Sequence, residues 1–452
     1  MEKCCVTGSA PRFSSRDLAK MVIPLFLEQL LIMLVGIADT FVVSYCGEAA
    51  VSGVSLVNQF NTIFIYLFTA VASGGAVVIS QYIGSSDTRM AGRASSQLLM
   101  FSTVFSFVMG ALVLLGKEPI LSLMFGRVEP EVMETCVTYL RISAYSYPAL
   151  AVYNAGASLY RSMGKTDTTM YISVVSNGIN VIGNCIGVFV LKAGVAGVAY
   201  PSLIARVVSA VWITLLCFSE RRTVRYTRKE LFLWDGSLLK KILGIAIPNG
   251  IDNGVFQLVK VALSSIVALF GTYQIAANGV AQSIWSLAAL SGVAMGPVFI
   301  TVIGQCMGSR DTAQAERYFY KLLGITLALS ALWNVLTLAA TPLFLRFFAL
   351  EPQTKALVFR LVVLHNIFNT VAFPFSGALG NGLRAAGDVK YTMYCSILTT
   401  VGVRLVFSWV FAIGLNLGVM GIAWAMCADW TARGALYFIR LKRGKWKTQS
   451  VI

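Results

Sequence analysis

Two carboxylates sit inside the first long apolar run of the chain, MVIPLFLEQLLIMLVGIADTFVVSYCG from Met21 to Gly47. Glu28 and Asp39 are eleven residues apart, and at about 3.6 residues per turn that is close to three turns, so both project from one helical face. An acid embedded in a helix long enough to cross lipid is costly unless it meets a partner, a cavity or an ion path. A later apolar run carries Asn177, Asn180 and Asn184 at i, i+3 and i+7, which places three amides on one stripe. Carboxylate and amide oxygens suit a hard cation; the competing reading is amide pairing between helices, worth about 0.6 kcal/mol on average.

Further charges fall inside apolar runs at Arg206, Asp252, Lys260, Arg404, Asp429 and Arg433. Asp429 and Arg433, at i, i+4, pair on one helix face. Mutual neutralisation inside the second half competes with a cavity wall on which Lys260 repels a cation or holds an anionic substrate. Pro24 removes a backbone hydrogen bond from the helix that carries both acids and gives it a hinge, unless it only shapes a helix end, as Pro248 would in the second half. Asn154 is a further cavity or hinge candidate.

Enzymatic chemistry has little support. The triplet Gly164–Lys165–Thr166 ends like a phosphate-binding loop, but Leu159 stands where the required glycine belongs and no strand precedes it. His365, the single histidine, has no neighbouring base, nucleophile or ligand set. The residues therefore point to binding and movement rather than catalysis, with no cofactor.

The elements that must position them are membrane helices. Of 452 residues 57% are hydrophobic and 12% charged, with a mean hydropathy of +0.74, which marks an integral membrane protein. Apolar runs of about 20 to 28 residues without period-2 alternation favour helices over a barrel. Twelve spans are expected, over 18–45, 52–83, 93–116, 135–160, 168–191, 195–218, 240–270, 275–306, 314–342, 355–383, 389–413 and 418–439. The formal charge of +16 resides in short connectors, which encodes topology and argues against nucleic acid as a partner. Twenty-five Lys and Arg fall on the side of the termini and five (Lys117, Arg127, Lys192, Arg346, Lys355) on the other, so both termini are expected in the cytoplasm of a multi-pass cell (inner) membrane protein.

Nine cysteines show no metal-ligand spacing and read as small buried hydrophobes, with Cys4 and Cys5 as acylation candidates. The leader is not a cleavable signal peptide, because the first apolar run exceeds an h-region.

The chain repeats itself. Ile79–Thr88, ISQYIGSSDT, returns as IGQCMGSRDT at Ile303, and GVAGVAY at Gly194 returns as GVMGIAW at Gly418, both 224 residues on. The same offset carries Pro24 to Pro248, Glu28 to Asp252 and Gln29 to Asn253, while RSMGKTDTTMY at Arg161 returns as RAAGDVKYTMY at Arg384, 223 on. An even number of spans per repeat keeps both copies in one orientation, which gives two pseudosymmetric six-helix bundles around a central cavity. The expected organisation is an N-terminal bundle over 1–218, a cytoplasmic linker over 219–241 and a C-terminal bundle over 242–452.

Pro24–x3–Glu28–Gln29 with Asp39–Thr40, the G-x-x-D loops after helices two and eight, the R-x-x-G turns after helices four and ten and the GVAGVA and GVMGIA openings together resemble the MATE family, the multidrug and toxic compound extrusion transporters. The resemblance spans almost the whole chain. It implies an all-α fold of twelve transmembrane helices and a secondary antiporter that exports bulky, often cationic compounds in exchange for Na+ or H+, as a monomer in the lipid bilayer.

In the branch resembling DinF, the resemblance makes Asp39 the coupling carboxylate, with Asn180 and a hydroxyl at Ser202. The partner acid of that branch is Asn184 here, so a bound Na+ would be neutralised once. The branch resembling NorM places acids on helices seven and ten, where this chain offers only Asp252. Asp39 maps to Leu263 in the second repeat, so coupling is expected in the first. Alternative readings are a flippase for a lipid-linked precursor and a major-facilitator-type transporter.

Overall fold

The first helix begins where Ser14 and Asp17 cap each other: Asp17 N–H donates to Ser14 Oγ (3.1 Å) and Ser14 N–H to Asp17 Oδ2 (2.9 Å). It then runs unbroken over Ser15–Ser44 with Pro24 inside it. Pro248 is likewise interior to Gly236–Val267, so neither proline marks a helix end. The computed structural model describes residues 12–126, 128–220, 223–231, 233–346 and 350–452; Lys3, Cys4, Cys5 and Arg127 lie outside them.

The second and third spans are Glu48–Gly84 and Thr88–Phe125. The fourth is made of two stacked pieces, Pro130–Tyr145 and Tyr147–Ser162. The fifth, Thr166–Cys185, continues through a π turn at Ile186–Val190, and the sixth is Ala196–Cys217. In the second repeat the seventh span is Gly236–Val267, the eighth is Thr272–Ala288 plus Leu290–Gly308, and the ninth is Thr312–Arg346. The tenth bends by 49° between Pro352–Val371 and Pro374–Ala385. The eleventh runs from Val389 to Gly414 with two π stretches, Leu398–Leu405 and Val410–Gly414, and the twelfth is Val419–Arg443.

Among the described residues, nine helices are long and apolar enough to cross a membrane, and the bent pair makes a tenth. Of the other two, the fourth is broken into two pieces of 16 residues, each too short alone, and the twelfth carries Asp429 and Arg433 within its length, which lowers its hydropathy. They occupy the places expected of spanning helices in the order of the chain. The protein is thus an all-helical membrane protein of the expected class.

One hydrophobic core belongs to both repeats. It gathers Leu18, Val77, Leu159, Ile242, Phe299, Phe319 and Leu441, all at the end of the molecule where the chain begins and ends. Toward the opposite end the repeats keep separate cores, one around Val57, Leu121 and Leu140, the other around Val358, Leu361 and Trp430. The halves are joined at one end and part toward the other.

The joint is built from the C-terminal ends of the second and eighth spans. A Cβ on Gly84 would lie 2.1 Å from the Gln305 carbonyl oxygen, and one on Gly308 would lie 1.9 Å from that of Gln81. Only glycine permits this approach. Gln81 Nε2 donates to the Ala385 carbonyl (2.8 Å) and Gln305 Nε2 to the Ser162 carbonyl (2.8 Å), so each glutamine crosses to the other repeat. Arg12 adds a strap, its Nη1 donating to the carbonyls of Gly84 (3.2 Å) and Gln305 (3.4 Å).

The stretch expected as a linker over 219–241 is a fitted connector. Gln97 of the third span holds the Leu233 carbonyl (2.5 Å) and accepts from Asp235 N–H (3.0 Å), and Arg93 pairs with Asp235 at 3.0 Å. Asp235 in turn caps the seventh span, which starts at Gly236, a turn before the expected 240.

Gly308→Leu is expected to hold the seam apart. Cys306, fully buried beside it, then reacts with a water-soluble maleimide faster by on the order of tenfold than in the unsubstituted protein, because opening exposes it. Mass spectrometry of the labelled Cys306 peptide reads the rate; equal protection in both proteins contradicts the packing described.

Candidate functional site

The first span faces the fifth along its length, and each of its acids meets that helix at a different level. At the joined end Glu28, 1% exposed, forms an ion pair with Arg161 Nη2 at 2.7 Å and accepts from Thr169 Oγ1 at 3.1 Å. Tyr153 reaches the same carboxylate at 3.5 Å. Asp252, the repeat counterpart of Glu28, pairs with Arg384, the counterpart of Arg161. Both pairs tie a proline-bearing helix to the arginine of the R-x-x-G turn, which is what a pair of scaffold contacts related by the repeat looks like.

Three turns further along, Asp39 meets a different environment. Asn184 Nδ2 donates to Asp39 Oδ1 (2.6 Å) and to Asn180 Oδ1 (3.1 Å), while Asn180 Nδ2 donates to Ser202 Oγ (2.7 Å). Ser202 completes the chain by donating to the Val198 carbonyl at 3.1 Å. Asn180 and Asn184 are buried and Asp39 is half-buried. The geometry rests on a close helix crossing: a Cβ on Gly187 would stand 2.1 Å from the Gly197 carbonyl oxygen, so the fifth and sixth spans touch backbone to backbone beside the cluster. The π turn at Ile186–Val190 begins directly after it, a local rewinding often found at working sites in helices.

One atom of the cluster is unsatisfied. Asn184 Oδ1 is buried and has no hydrogen-bond partner among the described residues, although a buried amide oxygen normally finds one. Asp39, Asn180, Asn184 and Ser202 therefore offer a set of oxygens with one formal negative charge and one idle acceptor, which fits a monovalent hard cation. Arg206 donates to Ser146 Oγ at 2.6 Å and lies within electrostatic reach of Asp39.

Other expected residues stand apart. Asn177 donates to Ser173 Oγ at 3.2 Å on its own helix, so two of the three amides on the stripe join Asp39. Asn154 contributes its backbone carbonyl to Ser158 at 2.9 Å. Lys260 is exposed, with no ion pair among the described residues. Asp429 pairs with Arg433 at 2.8 Å as expected, and also with Arg404 at 2.9 Å. The partnership of Arg161 with Glu28 was missed by treating Arg161 as a connector charge. The signal was in the repeat, since Glu28 and Arg161 recur together as Asp252 and Arg384.

Comparison with known proteins agrees with this architecture. The MatE family model matches residues 24–186 and 248–410, one match in each repeat. The chain is similar to an uncharacterized transporter YisQ of Bacillus subtilis, 26% identical over 440 residues that cover 96% of each chain. It is also similar to a probable multidrug resistance protein NorM of Thermotoga maritima, 23% identical over 97% of this chain and 94% of that one. Among solved structures it resembles a MATE in complex with MaD3S, with a TM-score of 0.88, 20% identity and 95% of each chain covered. It also resembles a multidrug resistance MATE family transporter of the MOP superfamily in an outward-facing conformation, with a TM-score of 0.86, 20% identity, and 94% and 95% covered. The major-facilitator alternative does not survive this likeness of fold.

Removing one partner of the buried Glu28–Arg161 pair strands the other charge. Glu28→Ala or Arg161→Ala is expected to destabilise the protein by about 3–5 kcal/mol. A Glu28→Gln/Arg161→Met double variant, which leaves no unpaired charge, recovers most of that. Unfolding midpoints of the purified proteins in detergent measure the difference.

Proposed function

The chain belongs to the MatE family, a family of transporters and not of enzymes, and on that premise we propose that it exports bulky, often cationic organic compounds in exchange for a cation. The observation that carries the reading is the cluster of Asp39, Asn180, Asn184 and Ser202, with its one net charge and its idle buried oxygen. In this reading the cluster takes Na+ or H+, as in the branch resembling DinF, and cation binding neutralises Asp39 once. A ligand shifts a conformational equilibrium only by its differential affinity for the two states. Neutralising an acid inside the membrane provides such a difference, of a few kcal/mol. Pro24, interior to the same helix, gives that helix a place to bend in response.

Termini in the cytoplasm follow in this proposal from the Lys and Arg of the connectors. The joined end then faces the cytoplasm and the parted end faces outward, so the arrangement described is the outward-facing state. The proposal takes the protein as a monomer of two bundles, over 1–218 and 242–452, moving about the connector between them.

Transport into everted vesicles under separately imposed Na+ and pH gradients tests the coupling, with a growth-inhibition panel supplying substrates. Asp39→Asn is expected to cut gradient-driven transport by about two orders of magnitude, as loss of a neutralisation worth a few kcal/mol implies, while leaving the fold intact. Asn184→Ala is expected to weaken ion affinity with less effect on the maximal rate. Ion-coupled export near the unsubstituted level by Asp39→Asn would sink the assignment.

A further inference from the structure

The second repeat carries its own polar centre, and its charge has the opposite sign. The eleventh span repeats the fifth at 223 residues where it begins and at 224 by the opening at Gly418, the π stretch Leu398–Leu405 lying between; at 224, Arg404 takes the place of Asn180 and Ser408 that of Asn184. Arg404 is 5% exposed and Asp429 is fully buried. Asp429 spends both carboxylate oxygens on guanidinium groups: Arg404 Nη2 lies 2.9 Å from Oδ2, and Arg433 Nη2 lies 2.8 Å from Oδ1 and 3.1 Å from Oδ2. Arg433 also donates to Thr399 (3.1 Å) and Thr400 (2.6 Å). Two guanidinium groups against one carboxylate leave one positive charge inside the helical core. An uncompensated buried charge is costly, and more so within a bilayer.

Buried polar atoms without partners among the described residues lie on the spans that pack about that charge: the acceptors Asn366 Oδ1, Asn369 Oδ1 and Ser408 Oγ, and a set of donors. Arg404 Nε, Trp285 Nε1 and both ring nitrogens of His365 are buried without a hydrogen-bond partner among the described residues. An indole N–H and a guanidinium N–H can only donate, and an imidazole carries at least one N–H in either charge state. These groups are neighbours. Trp285 stacks on Trp430 with ring centroids 5.7 Å apart, the His365 ring is 6.4 Å from Trp430, and Trp430 follows Asp429 in the chain. Arg404 lies within electrostatic reach of His365. A stranded buried donor is costly, and what would satisfy these donors and the residual charge together is an anion, with the acceptors Asn366 Oδ1, Asn369 Oδ1 and Ser408 Oγ left to water. Water alone would answer the donors but not the charge.

We infer that the second repeat holds a binding site for a small anion, a halide or a carboxylate group, between Arg404, Trp285 and His365. The site lies at the level in the second repeat that the Asp39 cluster occupies in the first. It does not depend on the antiport reading, because binding is measured here without transport. The chemistry has two sources, free chloride and the carboxylate of an organic cargo.

Equilibrium binding of radiolabelled chloride to the purified full-length protein, in sodium gluconate at constant Na+, tests the site. Saturable binding is expected, weakened about tenfold or more by Arg404→Gln, as the loss of a desolvated charge contact implies. Sodium benzoate as competitor separates the sources: displacement of chloride assigns the site to organic carboxylates as well, and chloride binding without displacement assigns it to the inorganic ion. Should Arg404→Gln fail to fold, Trp285→Phe keeps the ring stack and removes the donor, and weaker chloride binding is again expected. Absence of saturable binding of either anion to the folded unsubstituted protein overturns the inference. So does undiminished binding in a folded Arg404→Gln or Trp285→Phe variant.

Discussion

A polar group placed among lipid-spanning helices has no bulk water to fall back on, so it must find its partner within the chain or lie where something else can reach it. That constraint organises this molecule. Glu28 and Asp252, each paired with the arginine that ends the fourth or the tenth span, satisfy it with an ion pair and fix helices to one another. Asp39 and Arg404 satisfy it in part, and the atoms left over beside them mark the two places where the fold is prepared to hold something that is not protein.

The contrast separates two jobs that look alike in a sequence. Both acids of the first span face the fifth span, and both are held by its side chains. Glu28 is closed off by an arginine, a threonine and a tyrosine. Among the described residues Asp39 receives one amide, whose own oxygen is idle. A closed charge contributes to architecture, whereas an open one responds to its surroundings.

Much of this was legible in the sequence because the governing signals are long or repeated. Apolar runs set the spans, and the recurrence at 224 residues set the pairing of the repeats. Helical spacing places Asn180 and Asn184 on one side of their helix, whereas their grouping with Asp39 and Ser202 is what the family resemblance implies. Asn177 shares that stripe but turns to Ser173, since spacing gives a direction and not a partner. The connector was read as a linker from its charge, yet Gln97 and Arg93 hold it against the third span, a contact between residues far apart that no local pattern reveals. Lys260 sits inside an apolar run and still ends exposed. The sequence leaves Arg404 open between mutual neutralisation and a cavity wall, and the count of two arginines for one acid follows only from Asp429 lying between them.

The reciprocal glycine and glutamine contacts at the seam have the symmetry of a homodimer interface, in which each patch meets its own copy across a two-fold axis. Here the copies are joined in one chain, so a substitution alters one contact of each pair and leaves its mate in place. A true homodimer must change both at once. Fusion therefore frees the interiors of the halves to diverge while Gly84 and Gly308 keep them in register. One inherited frame can then carry a cluster built on a carboxylate on one side and a cluster built on guanidinium groups on the other.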